Sequence, residues 1–171
     1  SNEATSEFSN GDFESGHVAP WEEISDAQIT TEEAHSGKYS LKITGQYAYQ
    51  RWISVVPGKT YVFSAWFKWK EFSGSDWGYA SLGVTNYDWS EATAINQLNE
   101  RYEKDRWNKI AVAFVAKTDA VQLQLGVYGP QENVLMYFDD VEFYEKTGEN
   151  EAPTVQASAS ASTGNVPFSV Q

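Results

Sequence analysis

Short runs in which apolar and polar side chains alternate are the feature that most restricts how this chain can fold. In YVFSAWFKW, at residues 61–69, Phe63, Ala65 and Phe67 share one side of an extended chain. In VQLQLGVY, at residues 121–128, branched apolar residues alternate with glutamine and glycine in the same way. A period of two predicts β-strands that bury one face. Comparable runs occupy residues 35–44, 49–55, 79–87, 107–116 and 134–145.

Turn residues separate these runs, as in PGKT at residues 57–60, and no segment has a convincing apolar stripe with helical spacing. Residues 91–104 are the one stretch where a short helical turn competes with a long loop. Several short strands at this spacing predict an all-β sandwich of two antiparallel sheets.

The composition of the chain changes after Tyr144, where a polar linker is followed by an Ala- and Ser-rich end. That end is too short to fold alone, whereas the preceding part is long enough to bury a core. We therefore predict a disordered leader at residues 1–7, one folded domain at residues 8–146, and a linker with the truncated start of another domain at residues 147–171.

The charge of the chain limits its partners. Twelve basic and 24 acidic residues give a net charge of −12, which disfavours nucleic acids and anionic membranes and favours a neutral glycan over a polyanionic one. The absence of cysteine excludes disulfides and thiol chemistry, and no apolar stretch is long enough to span a membrane. Aromatic side chains make up 15% of the residues, an excess that favours flat contacts with a ligand.

No motif in the sequence indicates catalysis. There is no nucleophile elbow, phosphate-binding loop or metal-hydrolase signature. A glycosidase needs two carboxylates, but among 24 acidic residues the existence of a pair carries no information. His17 and His35 stand apart from each other and from any cysteine, so a zinc site is not indicated. The sequence therefore points to a protein that is not an enzyme.

Several segments together resemble a known family. In order along the chain, they are FSNGDFESG, AHSGKYSLKI, VPGKTYVFSAWFK, RWNKIAVAFVA and YFDDVEFY. The region from about residue 8 to residue 145 resembles the carbohydrate-binding modules of families 4, 9 and 22. The resemblance implies a jelly-roll β-sandwich with a concave face that binds polysaccharide without catalysis. A neutral β-glucan, such as laminarin-type β-1,3-glucan, and xylan are both compatible with it.

The end of the chain, NEAPTVQASASASTGNVPFSVQ, is similar to the start of a polycystic-kidney-disease (PKD) type domain. Such domains are frequent spacers in secreted bacterial proteins that degrade polysaccharides. The resemblance implies a monomeric module in a secreted or cell-surface bacterial protein, covalently linked to PKD-like and catalytic domains. The module would raise the effective concentration of the catalytic domain on its substrate.

A glycan site needs aromatic platforms for the C–H faces of sugars, with amides and charged groups for their hydroxyls. The non-core faces of the predicted strands and two nearby loops supply this mixture, which predicts one concave groove. The candidate ligand-binding residues are Trp52, Trp66, Lys68, Trp77, Tyr79, Tyr87, Trp89, Gln122, Gln124 and Tyr128. The alternatives are that Trp66 only packs and that the two glutamines line an ordinary solvated sheet face. Lys68, Lys70 and Arg51 could form a local basic patch that would admit uronates.

In the resembling modules a structural calcium ion lies where the first and last strands meet. Calcium takes several oxygen ligands from carboxylates and backbone carbonyls. The matching candidates here are Asp12, Glu14, Glu33, Lys38 through its carbonyl, Asp139 and Asp140. Carboxylates that converge without a cation repel each other, so a bound ion would remove that cost. The alternative is a set of exposed edge acids in an acidic protein.

The sequence is compatible with two other functions. A structural or adhesion spacer would bury most of its aromatic side chains. A small lyase or hydrolase on a sandwich scaffold would gather basic and acidic groups in the groove, whereas the Lys and Arg residues are scattered along the sequence.

Overall fold

The computed structural model describes residues 5–23, 25–74, 79–89, 92–97 and 102–148, with the backbone alone at residues 74 and 92–97. Within these ranges the chain forms ten strands and no helix, and the strands pair antiparallel in two five-stranded sheets. The first sheet contains, in order, β1 (Glu22–Glu23), β4 (Ala48–Ser54), β9 (Ala120–Tyr128), β6 (Tyr79–Asn86) and β7 (Ala92–Gln97). The second contains β2 (Ala27–Thr30), β3 (Ser40–Ile43), β10 (Gln131–Glu145), β5 (Thr60–Gly74) and β8 (Asn108–Val115).

The predicted β-sandwich is confirmed, and each of the seven alternating runs contains a strand. The alternating runs did not predict three of the strands, namely β1, β2 and β7. The first two are only two and four residues long, too short for a period to be recognised. Strand β7 lies in the stretch where a helical turn and a loop were the two alternatives, so neither describes residues 92–97.

The inward faces of the two sheets form one core. Phe63, Ala65 and Phe67 of β5 are fully buried, as the alternation predicts, and so are Leu123 and Leu125 of β9. Burying one such large apolar side chain contributes about 1.5–3 kcal/mol, so the core commits each strand to one orientation. The outward faces of both sheets are left for other contacts.

The N-terminal segment differs from the prediction in two ways. Residues 10–16, which the resemblance implies to be part of the first strand, form turns: the φ angle of Phe13 is 60°, and Asp12 Oδ1 accepts a 3.0 Å hydrogen bond from the amide of Glu14. The described structure also begins before the predicted domain start. Ser6 forms a parallel bridge to Ile53, and its amide donates to the Trp52 carbonyl at 3.0 Å.

Gly126 in β9 is required by its surroundings. Its φ is 117°, and a Cβ atom there would lie 2.8 Å from the Tyr47 Cα atom. Gly58 also has a positive φ, 92°, but no atom lies within 4 Å of the position that a Cβ atom would take there. Comparison of the two glycines therefore distinguishes the cost of backbone strain from the cost of a steric clash.

We expect Gly126→Ala to lower the free energy of unfolding by about 2–4 kcal/mol, because strain and a backbone clash add. Gly58→Ala should cost about 1 kcal/mol, from strain alone. Urea denaturation of both variants measures the difference. Equal losses would show that the approach of Tyr47 to β9 does not restrict the side chain at residue 126.

Candidate glycan-binding face

The outward face of the first sheet has a polar floor. Gln122 and Gln124 of β9 point away from the core, and they lie opposite Thr85 and Gly83 of β6 in the strand register. Gln122 Nε2 donates a 2.8 Å hydrogen bond to Gln124 Oε1. Each amide has two donor hydrogens and an acceptor oxygen, so this bond orders both side chains. Gln122 is only 3% exposed, whereas Gln124 is partly exposed, so Gln124 is the more accessible of the two amides. Gly83 adds no side chain to the floor, and Gln124 Cγ lies 3.3 Å from where a Cβ atom would be.

A row of tyrosines borders one end of this floor. The ring centroids of Tyr79 and Tyr128 are 5.9 Å apart, those of Tyr128 and Tyr47 are 5.9 Å apart, and those of Tyr47 and Tyr49 are 6.0 Å apart. We call these four residues the tyrosine row. Gly126 lies beside this row, and its missing Cβ leaves room for the backbone of Tyr47. Partial burial and the neighbouring tyrosines raise the pKa of Tyr47, so its hydroxyl stays protonated.

A second aromatic group borders the other end. The Trp52 ring makes edge contacts with Tyr87 at 4.8 Å and with Trp89 at 5.2 Å between centroids. These three residues are the tryptophan cluster. The β4–β9 register shifts between Gln50 and Ile53, and this irregularity lets Arg51 and Trp52 reach the cluster together. Trp89 is 56% exposed, which is unusual for so large an apolar ring.

The structure brings together seven of the ten predicted ligand residues: Tyr79, Tyr128, Gln122 and Gln124 on the sheet, with Trp52, Tyr87 and Trp89 in the tryptophan cluster. Gln50, which shares alternation parity with Trp52, instead donates to the Ser9 carbonyl at 2.7 Å. Sequence reasoning missed Tyr47 and Tyr49. The sequence did contain a signal for them, because the period of two in Tyr47, Tyr49 and Arg51 places these three side chains on one face of a strand. Trp77 lies outside the described residues.

Trp66 and Lys68 do not belong to this face, so the prediction that they share the groove is wrong. Both lie in β5, and β5 pairs with β8 and β10 of the second sheet. Trp66 stacks on His35, with 4.1 Å between ring centroids and 14° between planes, and this covers one side of the indole. Alternation assigns a side chain to one face of its strand, but it carries no information about which sheet contains that strand.

The predicted basic patch does not form either. Lys68 Nζ is 2.8 Å from Glu33 Oε1, while Lys70 Nζ lies 3.3 Å from Glu33 Oε2 and 2.7 Å from Asp105 Oδ1. The bond from Lys68 is the main reason that the pKa of Glu33 is lowered. Both lysines are thus neutralised on the second sheet, and Arg51 stands apart from them on the first.

The predicted metal ligands surround the loop between β2 and β3, residues 31–39. Glu14 accepts hydrogen bonds from the amides of Lys38, at 3.1 and 3.0 Å, and Tyr39, at 2.9 Å. Asp139 Oδ2 accepts from the amides of His35 at 2.8 Å and Ser36 at 3.2 Å. Two carboxylates from distant parts of the chain therefore bind successive amides of one loop.

The remaining predicted ligands have other partners. Asp140 is 2.7 Å from the ring of His35 and 2.7 Å from the Ser36 hydroxyl, Glu33 pairs with lysines, and Asp12 stabilises its own turn. Across the described ranges no three His, Asp or Glu side chains are grouped as metal ligands. The side chains of Asp12, Glu14, Asp139 and Asp140 therefore do not form one group here, and the calcium site stays a prediction. Calcium also accepts backbone carbonyl oxygens as ligands.

Asp139 has the most perturbed carboxyl group of the described residues. Its side chain is fully buried, and burial raises its pKa to about 6, although the amides of Ser36, Asp140 and His35 act in the opposite direction. The charge of Asp140 adds to the rise. Each amide bond stabilises the carboxylate form, so removal of any one of them would raise the pKa further.

Comparison with known proteins assigns the chain to a family. Residues 6–133 match the family CBM_4_9, described as "Carbohydrate binding domain". The chain belongs to this carbohydrate-binding family. It is accordingly a non-catalytic carbohydrate-binding module, which confirms the resemblance of residues 8–145 to such modules and the inference that this domain is not catalytic. No curated protein matches the chain in sequence. In the described residues no helix is long and apolar enough to cross a membrane.

Solved structures of such modules share the fold at low sequence identity. A family 16 carbohydrate-binding module is 19% identical, with a TM-score of 0.59 over 80% of this chain and 98% of its own. The module TmCBM61, solved with β-1,4-galactotriose, is 15% identical, with a TM-score of 0.60 over 84% and 100%. The CBM22-1 xylan-binding domain of Paenibacillus barcinonensis Xyn10C is 16% identical, with a TM-score of 0.55 over 79% and 91%.

The pKa of Asp139 predicts a pH dependence of stability. Its folded pKa of about 6 lies above its ordinary value of 3.8, so ionisation is harder in the folded state. Its contribution is fully present below about pH 4 and is lost as the pH rises through 6, by roughly 3 kcal/mol. Denaturation of the wild type and Asp139→Asn in EDTA at several pH values measures this. We expect the wild type to lose stability relative to the variant over this window; a constant difference would contradict the shift.

Proposed function

We propose that this module binds a polysaccharide with a neutral backbone, a β-glucan such as laminarin-type β-1,3-glucan or a xylan, across the outward face of its first sheet. The observation that carries the proposal is the amide floor of Gln122 and Gln124 between two aromatic groups. Sugar rings present apolar C–H faces with hydroxyls around the edge, and this face offers partners for both.

The exposure of the aromatic side chains favours a binding function over a spacer. Tyr128 is 43% exposed and Trp89 is 56% exposed, at opposite ends of the floor. Large apolar groups in such positions lose free energy to water unless a ligand covers them. A spacer module would gain stability by burying them or replacing them with polar residues.

The charge of this face favours a backbone that is not itself charged. The strands of the first sheet contain one basic residue, Arg51, against two acidic residues, Glu22 and Glu23. A polyuronate carries a negative charge on every sugar and would meet a chain of net charge −12. The two structural relatives whose names mention a xylan or a galactotriose are consistent with a neutral backbone.

A module without catalytic chemistry of its own can act by targeting a linked domain. It would hold a covalently linked catalytic domain close to a polysaccharide and raise that domain's effective concentration there. This role implies a secreted or cell-surface bacterial protein in which the module acts as a monomer and a PKD-like domain follows it. Residues 149–171, which carry the PKD-like segment, lie outside the described structure.

Substitutions at the two ends of the floor test the proposal. The double variant Trp89→Ala/Tyr128→Ala should weaken binding to laminarin or xylan at least about tenfold, because each stacked ring contributes about 1 kcal/mol or more. Trp66→Ala, on the second sheet, should leave affinity unchanged even if it lowers the melting temperature. Calorimetric titration against both polymers measures the affinities. Equal loss in both variants, or none in the double variant, would place the site elsewhere.

We also propose a structural calcium ion beside the loop at residues 31–39. The support is that Glu14 and Asp139 bind this loop from the N-terminal segment and from β10, and that Asp139 is buried with a raised pKa. Calcium would supply positive charge to these carboxylates, and backbone carbonyls of the loop would complete its oxygen ligands. The ion would stabilise the fold and take no part in glycan binding.

Calcium should raise the melting temperature of the wild type by several degrees over its value in EDTA, since a ligand that binds only the folded state stabilises it. Glu14→Gln should reduce this increment, whereas Glu103→Gln, in the exposed segment before β8, should preserve it. Differential scanning calorimetry at matched ionic strength measures the increment. An unchanged melting temperature on calcium addition would reject the ion, and a loss of glycan affinity on chelation would show that its role is not purely structural.

A further inference from the structure

Arg51 occupies a special position on the candidate glycan-binding face. Its guanidinium carbon lies 4.5 Å from the ring centroid of Tyr49, 5.4 Å from that of Trp89 and 5.9 Å from that of Trp52. It therefore joins the tyrosine row to the tryptophan cluster. Contact with several aromatic faces stabilises a cation and holds the planar guanidinium group in place.

The hydrogen bonds of Arg51 leave most of its donors available. One amino group, Nη2, donates to the Tyr49 hydroxyl at 2.8 Å, and that hydroxyl is 3.3 Å from Glu22 Oε1. A guanidinium group has five N–H donors. Among the described residues, no carboxylate lies within 4.0 Å of the Arg51 guanidinium. The side chain is exposed, so these donors face solvent at the end of the floor.

Three lysines of the second sheet show the contrast. Lys42, Lys68 and Lys70 each pair with carboxylates of their own sheet or its loops. Arg51 is held by rings instead, and rings fix its orientation without neutralising its charge. A planar fork of donors matches the two oxygens of a carboxylate better than it matches a single hydroxyl.

We propose that Arg51 binds a carboxylate of the glycan, so that the preferred ligand has a neutral backbone with uronic acid side groups. This inference rests on the proposed function of the same face. One cation suits a sparse carboxylate: the neutral sugars between side groups cover the floor and the aromatic groups, and the side group reaches Arg51. A backbone of uronates would place further charges over the uncharged floor and near Glu22, where nothing compensates them.

A matched pair of polymers tests the inference. The full chain is titrated calorimetrically with glucuronoxylan and with the same polymer after reduction of its carboxyl groups to alcohols. We expect the acidic polymer to bind at least about tenfold more tightly, since a charge-assisted bidentate contact is among the stronger hydrogen bonds. The preference should shrink as salt is raised to about 0.5 M, because screening weakens an exposed charge pair.

Three variants connect the preference to Arg51. Arg51→Gln should bring the ratio of the two affinities close to one, and Arg51→Lys, which keeps the charge without the fork, should give an intermediate ratio. Lys59→Gln removes the same charge from a lysine that pairs with Glu145, outside this face, and should preserve the wild-type ratio. Thermal melting confirms that each variant is folded.

The outcomes separate this inference from the function on which it rests. Equal affinity of the wild type for both polymers, or a preference that persists in Arg51→Gln, would overturn the inference and leave glycan binding intact. Tighter binding of polygalacturonate than of glucuronoxylan would also overturn it, because it would show that the backbone itself is acidic. A wild type that binds none of these polymers, nor laminarin, would overturn the proposed function together with the inference.

Discussion

Burial of the two inward sheet faces against each other is the constraint on which the rest of this molecule depends. Each strand has two faces. Phe63 and Phe67 of β5 face the core, and so do Leu123 and Leu125 of β9. The residues that alternate with these must therefore face outward. On the first sheet this commitment directs glutamine amides and aromatic rings outward, and on the second it directs lysines and Trp66 outward. The candidate glycan-binding face is therefore a consequence of the core.

The outward faces of the two sheets differ in how far they are covered by other parts of the chain. The loop at residues 31–39 covers part of the second sheet, where His35 stacks on Trp66 and Glu33 pairs with Lys68. Glu14 and Asp139 bind the amides of that loop and so connect the N-terminal segment to β10. The corresponding surface of the first sheet keeps exposed rings at both ends of an amide floor. A carbohydrate-binding module needs this asymmetry, because one sheet must remain available to a ligand.

The electrostatics of the binding face differ from those of the chain as a whole. The net charge of −12 disfavours an acidic polymer at long range, but screening limits that field to about 8 Å at physiological ionic strength. Within that distance lies Arg51, which contacts Tyr49 and Trp89 and is the only basic residue in the described strands of the first sheet. A short-range preference for a carboxylate and a long-range preference for a neutral backbone are compatible, because they act on different parts of a branched polysaccharide.

The sequence by itself determined the class of fold, the inward residues of the long strands and the family, because alternation and turn residues are local properties of the chain. It also placed Gln122, Gln124 and Tyr128 on one outward face. Only the tertiary structure decided which sheet each strand joins, and this removed Trp66 and Lys68 from the groove. Tyr47 lies where Gly126 leaves room for its backbone, and Trp52 reaches the site through the irregular pairing of β4, so both depend on neighbours distant in sequence. Strand neighbours and carboxylate partners are set by long-range packing, on which a local period has no influence.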